Sequence, residues 1–301
     1  MKVIFFGAGY CTKYIIPLLP ENSKIICTHK EYIKPEKFDK KFNLKRLNIK
    51  KFFENRDYYL NGTNFILNSI PPVEDGDIIL NNLTPEILKI KNTIKWYGYF
   101  SSTSVYGNHL GKWVDETSKT QPRNLRGKLR QKSEAQHLKL FKLYKVPIHI
   151  FRLPGIYGPG RSIFERLQLE KKIQIIKKGH YFSRIHVEDI ASAIKKSMKK
   201  ITPGEIFNIC DDMPSESHMV VKYAAQLMGI KHIETIKFDS SKLNKKTKSF
   251  YIDNKRVKNE KIKKILNWTP KFRNYKLGLN NLFSLLSNEN SSTNSSFFKK
   301  N

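Results

Sequence analysis

The sequence predicts an α/β fold, a doubly wound parallel sheet with a small C-terminal lobe. Three observations point there. Short apolar runs rich in β-branched and aromatic residues recur at Val3–Phe6, Lys24–Thr28, Asn64–Ile70, Trp96–Phe100 and Pro147–Leu153, the pattern of strands buried on both faces. Segments of helical periodicity alternate with them, as the crossovers between parallel strands require. The first strand runs into Gly7-Ala8-Gly9-Tyr10-Cys11-Thr12, after which apolar residues return at helical spacing through Tyr14, Ile15 and Leu18.

That strand, glycine turn and helix form the unit on which the rest depends. Gly7 permits a tight turn, and Gly9 lets the backbone approach a pyrophosphate seated at the helix N-terminus. Thr12 stands where a third glycine is usual. The turn Gly7, Ala8, Gly9, Tyr10, Cys11 and Thr12 is therefore a candidate dinucleotide site. The end of the second strand selects the ribose: an acid suits the 2′-hydroxyl of NAD, a basic residue the 2′-phosphate of NADP. Thr28-His29-Lys30 favours NADP over NAD, with Glu31 as the competing acid if the strand runs longer. Ser69 and Ser102 follow two further strands. In such sheets ligand groups lie beyond the carboxyl ends of the strands, where Gly7, Thr28, Ser69 and Ser102 all fall.

The remaining elements follow in order. A short strand is expected near Leu44 to Leu47, a helix around Phe52, and helices over Asn81–Asn92 and from near Pro122. Then come a helix over Ser162–Lys171, a strand at Ile173–Ile176, and an amphipathic helix over Val187–Lys200 opened by Glu188 and Asp189. A strand at Glu205–Cys210 and a helix over Ser215–Met228, stopped by Gly229, complete the pattern. The Ser/Asn-rich stretch 287–301 reads as a disordered tail. Residues 1–153 make a Rossmann-type dinucleotide-binding domain completed by 185–210. Residues 154–184 and 211–286 make a substrate lobe.

Composition bounds the function. The 301 residues, 39% apolar and 12% aromatic, suffice for a full core. No apolar run approaches the ~20 residues that span a bilayer, and the chain opens directly into a strand, so a soluble, cytoplasmic protein is expected. Cys11, Cys27 and Cys210 are odd in number and widely spaced, which argues against a disulfide framework and a zinc site. Lys plus Arg outnumber Asp plus Glu by 56 to 26, a net charge of +30. The lysines scatter over nearly every segment without a basic arm or stripe, so they read as solvated faces and nucleic acid is not the expected partner. A homodimer is compatible with this reading.

Several motifs carry a family resemblance. Ser101–Gly107 (SSTSVYG), Val114–Thr117 (VDET), Arg152–Arg161 (RLPGIYGPGR) and Arg184–Ile190 (RIHVEDI) together resemble the extended short-chain dehydrogenase/reductase superfamily. The narrower likeness is to its NAD(P)-dependent epimerase/dehydratase branch, which acts on nucleotide sugars. It runs from Met1 to about Leu282 and includes the late segments Phe250–Asn254 and Arg256–Trp268. The resemblance implies that Ser102 bonds the substrate oxygen, the candidate catalytic role, or else caps the strand end.

The departures are as informative. Thr103-Ser104 stand where the family's dehydratases carry Asp-Glu, and Gly155 stands where a substrate-binding asparagine is common. The family's proton donor is a Tyr-x-x-x-Lys pair. Aligning Glu134 with the glutamate after that motif puts Arg126 and Arg130 in its two positions, and arginine cannot shuttle a proton at neutral pH. Two guanidinium groups at i and i+4 share a helix face. They either bind an anion bidentately or pair with Glu134, Asp115 and Glu116 as structural supports. Arg161 matches a substrate-facing arginine. Tyr106, His109, Tyr157 and His186 are the nearby substitutes for an acid. The chain thus reads as an atypical, NAD(P)-binding, epimerase- or reductase-like protein for a small anionic substrate: a sugar phosphate, nucleotide sugar or carboxylate. The alternative is a non-catalytic NADP-binding regulator that senses redox state.

Overall fold

The computed structural model describes residues 1–31, 37–169, 173–241 and 243–292. Its centre is a seven-stranded parallel sheet: β1 (Lys2–Phe6), β2 (Lys24–His29), β3 (Leu44–Asn48), β4 (Phe65–Asn68), β5 (Trp96–Ser102), β6 (Ile148–Leu153) and β7 (Ile206–Asn208), in spatial order 3-2-1-4-5-6-7. Every neighbouring pair is parallel, with Val3 opposite Ile25 on one side and Phe65 on the other. The order reverses between β1 and β4, the kind of switch point beyond whose carboxyl ends such sheets hold their ligands.

Both faces of the sheet are covered, which is why its strands are apolar throughout. Val3 and Phe5 belong to one core with Cys27, Leu67 and Phe151. Ile4 and Phe6 belong to the other with Ile26, Ile66 and Phe52. Alternation along β1 therefore sorts apolar residues between two cores rather than between core and solvent.

Helix starts follow their caps. α1 (Tyr10–Ile15) passes into a short 3-10 turn at Ile16–Leu18. α2 (Ile78–Lys89) begins three residues before the expected Asn81, because the Asp77 carboxylate accepts the N–H groups of Ile79 and Leu80. α3 (Leu125–Tyr144) begins at Leu125 rather than near Pro122, where Asn124 accepts from the Gly127 N–H. α4 (Ile163–Leu169) lies within the expected helix, whose last two residues fall outside the described ones. α5 (Val187–Lys199) is capped by His186, and α6 (Ser217–Leu227) and α7 (Tyr275–Ser292) pack in the C-terminal lobe.

One expectation is corrected. The stretch from Ser287, read as a disordered tail, continues α7 through Ser292. The Ser287 hydroxyl donates to the Phe283 carbonyl at 3.0 Å, so the polar side chain serves the helix one turn back. Residues 293–301 lie outside the described residues. The lobe has its own core, in which Tyr157 and Phe164 meet Val220 and Val221 of α6 and Tyr275 and Leu279 of α7. Ile173–Ile176 pairs in parallel with Glu234–Lys237. No helix among the described residues is long and apolar enough to cross a membrane. The three cysteines are free and buried, and no group of metal-ligating side chains is present among the described residues.

Candidate cofactor and substrate site

The site begins with backbone geometry at the carboxyl ends of β1, β2 and β4. Gly7 sits at φ +93°, and a β-carbon there would lie 2.7 Å from Ser69 Oγ; only glycine suits that position. The Gly7 N–H donates to Thr28 Oγ1 at 3.2 Å, and the Ala8 N–H to the Thr28 carbonyl at 2.8 Å. Ser69 donates its N–H to the Phe6 carbonyl at 2.9 Å and its hydroxyl to the Gly7 carbonyl at 2.9 Å. Thr12 Oγ1 donates to the same carbonyl at 3.2 Å. Gly7, Ala8, Thr12, Thr28 and Ser69 are thus one hydrogen-bonded web. In it the Thr28 and Ser69 side chains shape the turn.

Gly9 differs from Gly7. It precedes α1 in extended conformation without a side-chain cap, and a β-carbon built on it meets nothing within 4 Å. The space beside it is open. Cys11 is buried beneath the turn, and burial raises its thiol pKa to about 11. At the end of β2, Lys30 and Glu31 are exposed. His29 Nδ1 bonds the Glu31 carbonyl, and the Asn48 amide donates to the Lys30 carbonyl at 2.8 Å.

Ser102 closes β5, and its Oγ accepts the Ser104 N–H at 3.1 Å, capping the 3-10 turn Thr103–Tyr106. The first turn of α3 lies against that segment at Gly127, where a β-carbon would come within 2.7 Å of the Ser104 carbonyl oxygen. Arg126 is exposed. Arg130 turns inward, bonding the Phe100 carbonyl with its guanidinium 6.0 Å over the Tyr99 ring. Among the described residues no ion pair joins either arginine to Glu134, Asp115 or Glu116. Asp115 accepts instead from Thr117 and Ser118, and Glu116 from the Asn208 N–H at 2.7 Å.

Glu134 belongs to a buried network that sequence reasoning missed. Its carboxylate takes the Arg152 Nε at 2.9 Å, Arg152 Nη2 at 2.7 Å and the Ser101 hydroxyl at 2.6 Å. Arg152 Nη1 donates to Tyr106 Oη at 3.0 Å, and that hydroxyl donates to Asn208 Oδ1 at 2.8 Å. The signal was available: a lone arginine in the buried run Ile148–Leu153 needs a counter-charge. Burial raises the Tyr106 phenol to about 12, and both its hydrogen-bonding roles are taken. His186 is committed through one ring nitrogen, while its buried Nε2 has no hydrogen-bond partner among the described residues. Its Nδ1 accepts the Glu188 N–H at 3.3 Å, its ring lies 4.1 Å from Phe272, and burial lowers its pKa to about 4. His109 Nε2 lies 3.1 Å from the carbonyls of Tyr106 and Lys119. The Tyr157 phenol is buried and raised well above its ordinary range.

Arg161 is held near the glycine turn. Its guanidinium lies 5.5 Å over the Tyr10 ring, and the Tyr10 hydroxyl donates to the Pro159 carbonyl at 3.0 Å. Beside Arg161 the lobe forms a cavity of about 350 Å³ that is open to solvent.

A seven-stranded parallel sheet with a glycine turn at its switch point defines a Rossmann-like α/β fold of the dinucleotide-binding class. Residues 82–210 match the model of the NAD dependent epimerase/dehydratase family. That match covers less than half of the chain, and the likeness is to an epimerase/dehydratase branch of the extended short-chain dehydrogenase/reductase superfamily. It is 29% identical over 188 residues to dTDP-D-glucose 4,6-dehydratase of Bos taurus, a match covering 58% of this chain and 50% of that one. The match thus spans about half the length of this curated relative. A functionally unknown conserved protein from Silicibacter pomeroyi DSS superposes with a TM-score of 0.85 at 36% identity, over 95% of this chain and 99% of the other. UDP-glucuronic acid 4-epimerase from Bacillus cereus, solved in complex with NAD, superposes with a TM-score of 0.74 at 16% identity, over 96% and 99%. That last likeness is one of fold.

Proposed function

We propose that the chain is an NAD(P)-binding, epimerase- or reductase-like protein that acts on a small anionic substrate without the usual Tyr-x-x-x-Lys pair. Gly9 carries the reading. Gly7 is dictated by its own backbone and by Ser69, whereas the absent side chain of Gly9 serves no contact within the protein and leaves room for a ligand. The turn Gly7–Thr12 would hold the pyrophosphate, with Tyr10 and Cys11 opening the helix behind it. Lys30, exposed at the end of β2, favours NADP through the 2′-phosphate. When bound, the cofactor supplies the hydride chemistry.

This chain's own residues orient and charge the site. Ser102 stands at the end of β5, with Arg130 fixed to the carbonyl two residues earlier and Arg126 one turn before it on α3. Together with Arg161 they would bind the substrate's anionic group. The second reading, a non-catalytic regulator sensing the redox state of NADP, is favoured by the commitment of the Tyr106 hydroxyl to Asn208 and Arg152.

Fluorescence titration with NADPH and then NADH at near-physiological salt tests the proposal. Micromolar NADPH binding that falls at least about tenfold on Lys30→Asp is expected. No binding of either nucleotide at millimolar concentration overturns it.

A further inference from the structure

We infer that the hollow at the amino-terminal edge of the central sheet is a binding site for a free medium-chain fatty acid. It lies where the chain enters β1 and β4, on the opposite edge from the glycine turn, and has a volume of about 420 Å³ open to solvent. Its apolar wall is drawn from three parts of the chain. Ile15, Leu18 and Leu19 come from the end of α1 and the 3-10 turn behind it, Phe65 opens β4, and Met198 comes from the last turn of α5. Ile15 is buried, whereas Leu18, Leu19, Phe65 and Met198 are half-buried and pack against the core that holds Val3 and Phe5. Each of the four therefore keeps apolar surface in water around one space.

The occupant must be apolar along its length and negative at one end. Lys195 and Lys199 stand one turn apart on α5 and belong to the same wall. Both are exposed, the arrangement in which a lysine stem lies along apolar surface while its ammonium stays in water. Among the described residues no ion pair joins either of them to a carboxylate. The wall itself contains no acid, and Glu21, exposed beside Pro20 of the wall, is the one nearest to it in sequence. Two cations at the mouth complement a carboxylate head, and each methylene of its chain gains affinity by leaving water. Concavity selects a free acid over a membrane: a hollow surrounds one chain on several sides, whereas a flat bilayer surface meets only its rim. The volume, about 420 Å³, falls within the ~300–1,000 Å³ typical of ligand pockets. The site shares no residue with the glycine turn or with the arginines beside Ser102, so it stands independently of the function proposed above.

Calorimetric titration of the full chain with octanoate and hexanoate, with octan-1-ol as the neutral control, tests this site. Saturable binding of octanoate is expected, with hexanoate weaker by roughly tenfold for its two missing methylenes. Lys195→Glu combined with Lys199→Glu should weaken octanoate at least about tenfold. Lys139→Glu combined with Lys142→Glu makes the same charge change at exposed positions on α3 and should leave octanoate affinity within about twofold of the wild type. Equal weakening by the two pairs would assign binding to net charge and overturn the site. Octan-1-ol binding as tightly as octanoate, or no binding of octanoate up to roughly 10 mM, also overturns it. Retention on phosphatidylglycerol vesicles without saturable octanoate binding would make this face a membrane contact and overturn the fatty-acid site.

Discussion

Glu134 and Arg152 meet in a two-bond fork, Nε to Oε1 at 2.9 Å and Nη2 to Oε2 at 2.7 Å, with both side chains almost wholly buried. The pair joins α3 to β6, and through Ser101 and Tyr106 it reaches the carboxyl end of β5 and the 3-10 turn that follows. Glu134→Gln keeps the shape but leaves the Arg152 charge uncompensated in the interior. Breaking such a pair costs about 3–5 kcal/mol. Urea unfolding should show a loss of that order, and a loss under about 1 kcal/mol would mean that water reaches the pair.

The two glycines of the turn should separate stability from binding. Gly7→Ala meets both a positive φ and a 2.7 Å contact with Ser69 Oγ, so it should lower the melting temperature and abolish NADPH binding. Gly9→Ala meets no protein atom and occupies backbone space open to any residue. Its melting temperature should match the wild type, while NADPH affinity falls at least about tenfold. Wild-type affinity in Gly9→Ala would show that no ligand approaches there.

Stability should peak near pH 6.5. Burial lowers the pKa values of His149, His180 and His186 to about 4, below the ~6.5 of an unfolded histidine. Between those values the unfolded state binds more protons, so stability rises with pH. Asp211, raised to about 8, and Asp189, raised to about 6, act oppositely: the folded state holds the extra proton, and stability falls as pH rises from about 4 toward those values. Above pH 6.5 the Asp211 effect outlasts the histidines. Asp211→Asn should flatten the decline between pH 6.5 and 8 in a series of thermal melts. An unchanged decline in that variant would assign it to another group.

The central sheet was legible because both of its faces are buried, which writes continuous apolar runs at β1, β2, β4, β5 and β6. The strand-end positions of Gly7, Thr28, Ser69 and Ser102 followed from the same pattern. Local spacing could not show how Glu134 divides its bonds. Arg130 lies one turn away on the same helix, but Glu134 faces the interior, where Arg152 from β6 approaches with a charge to be met. Asp77 was missed as the start of α2 because its carboxylate also accepts from Asn68 and Ser133, partners 9 and 56 residues away.

The N-terminus of α3 sets where Arg126 and Arg130 stand, and two substitutions there should act against local propensity. Gly127→Ala would by helix propensity alone stabilise by roughly 1 kcal/mol, yet its β-carbon would lie 2.7 Å from both the Ser104 carbonyl oxygen and Pro122 Cβ. The carbonyl is backbone and cannot rotate away, so the variant should be less stable than the wild type. Asn124→Ala removes the cap to the Gly127 N–H and the 2.9 Å bond from its amide to Asp253, and loss of the cap costs about 1 kcal/mol. Asn124→Asp retains the cap acceptor but sets a carboxylate against Asp253, so its stability should fall below that of the wild type. A melting temperature in Gly127→Ala equal to or above the wild type would mean that α3 can draw back from the Ser102–Tyr106 segment, and the placement of Arg130 on the Phe100 carbonyl would then not be fixed by this contact.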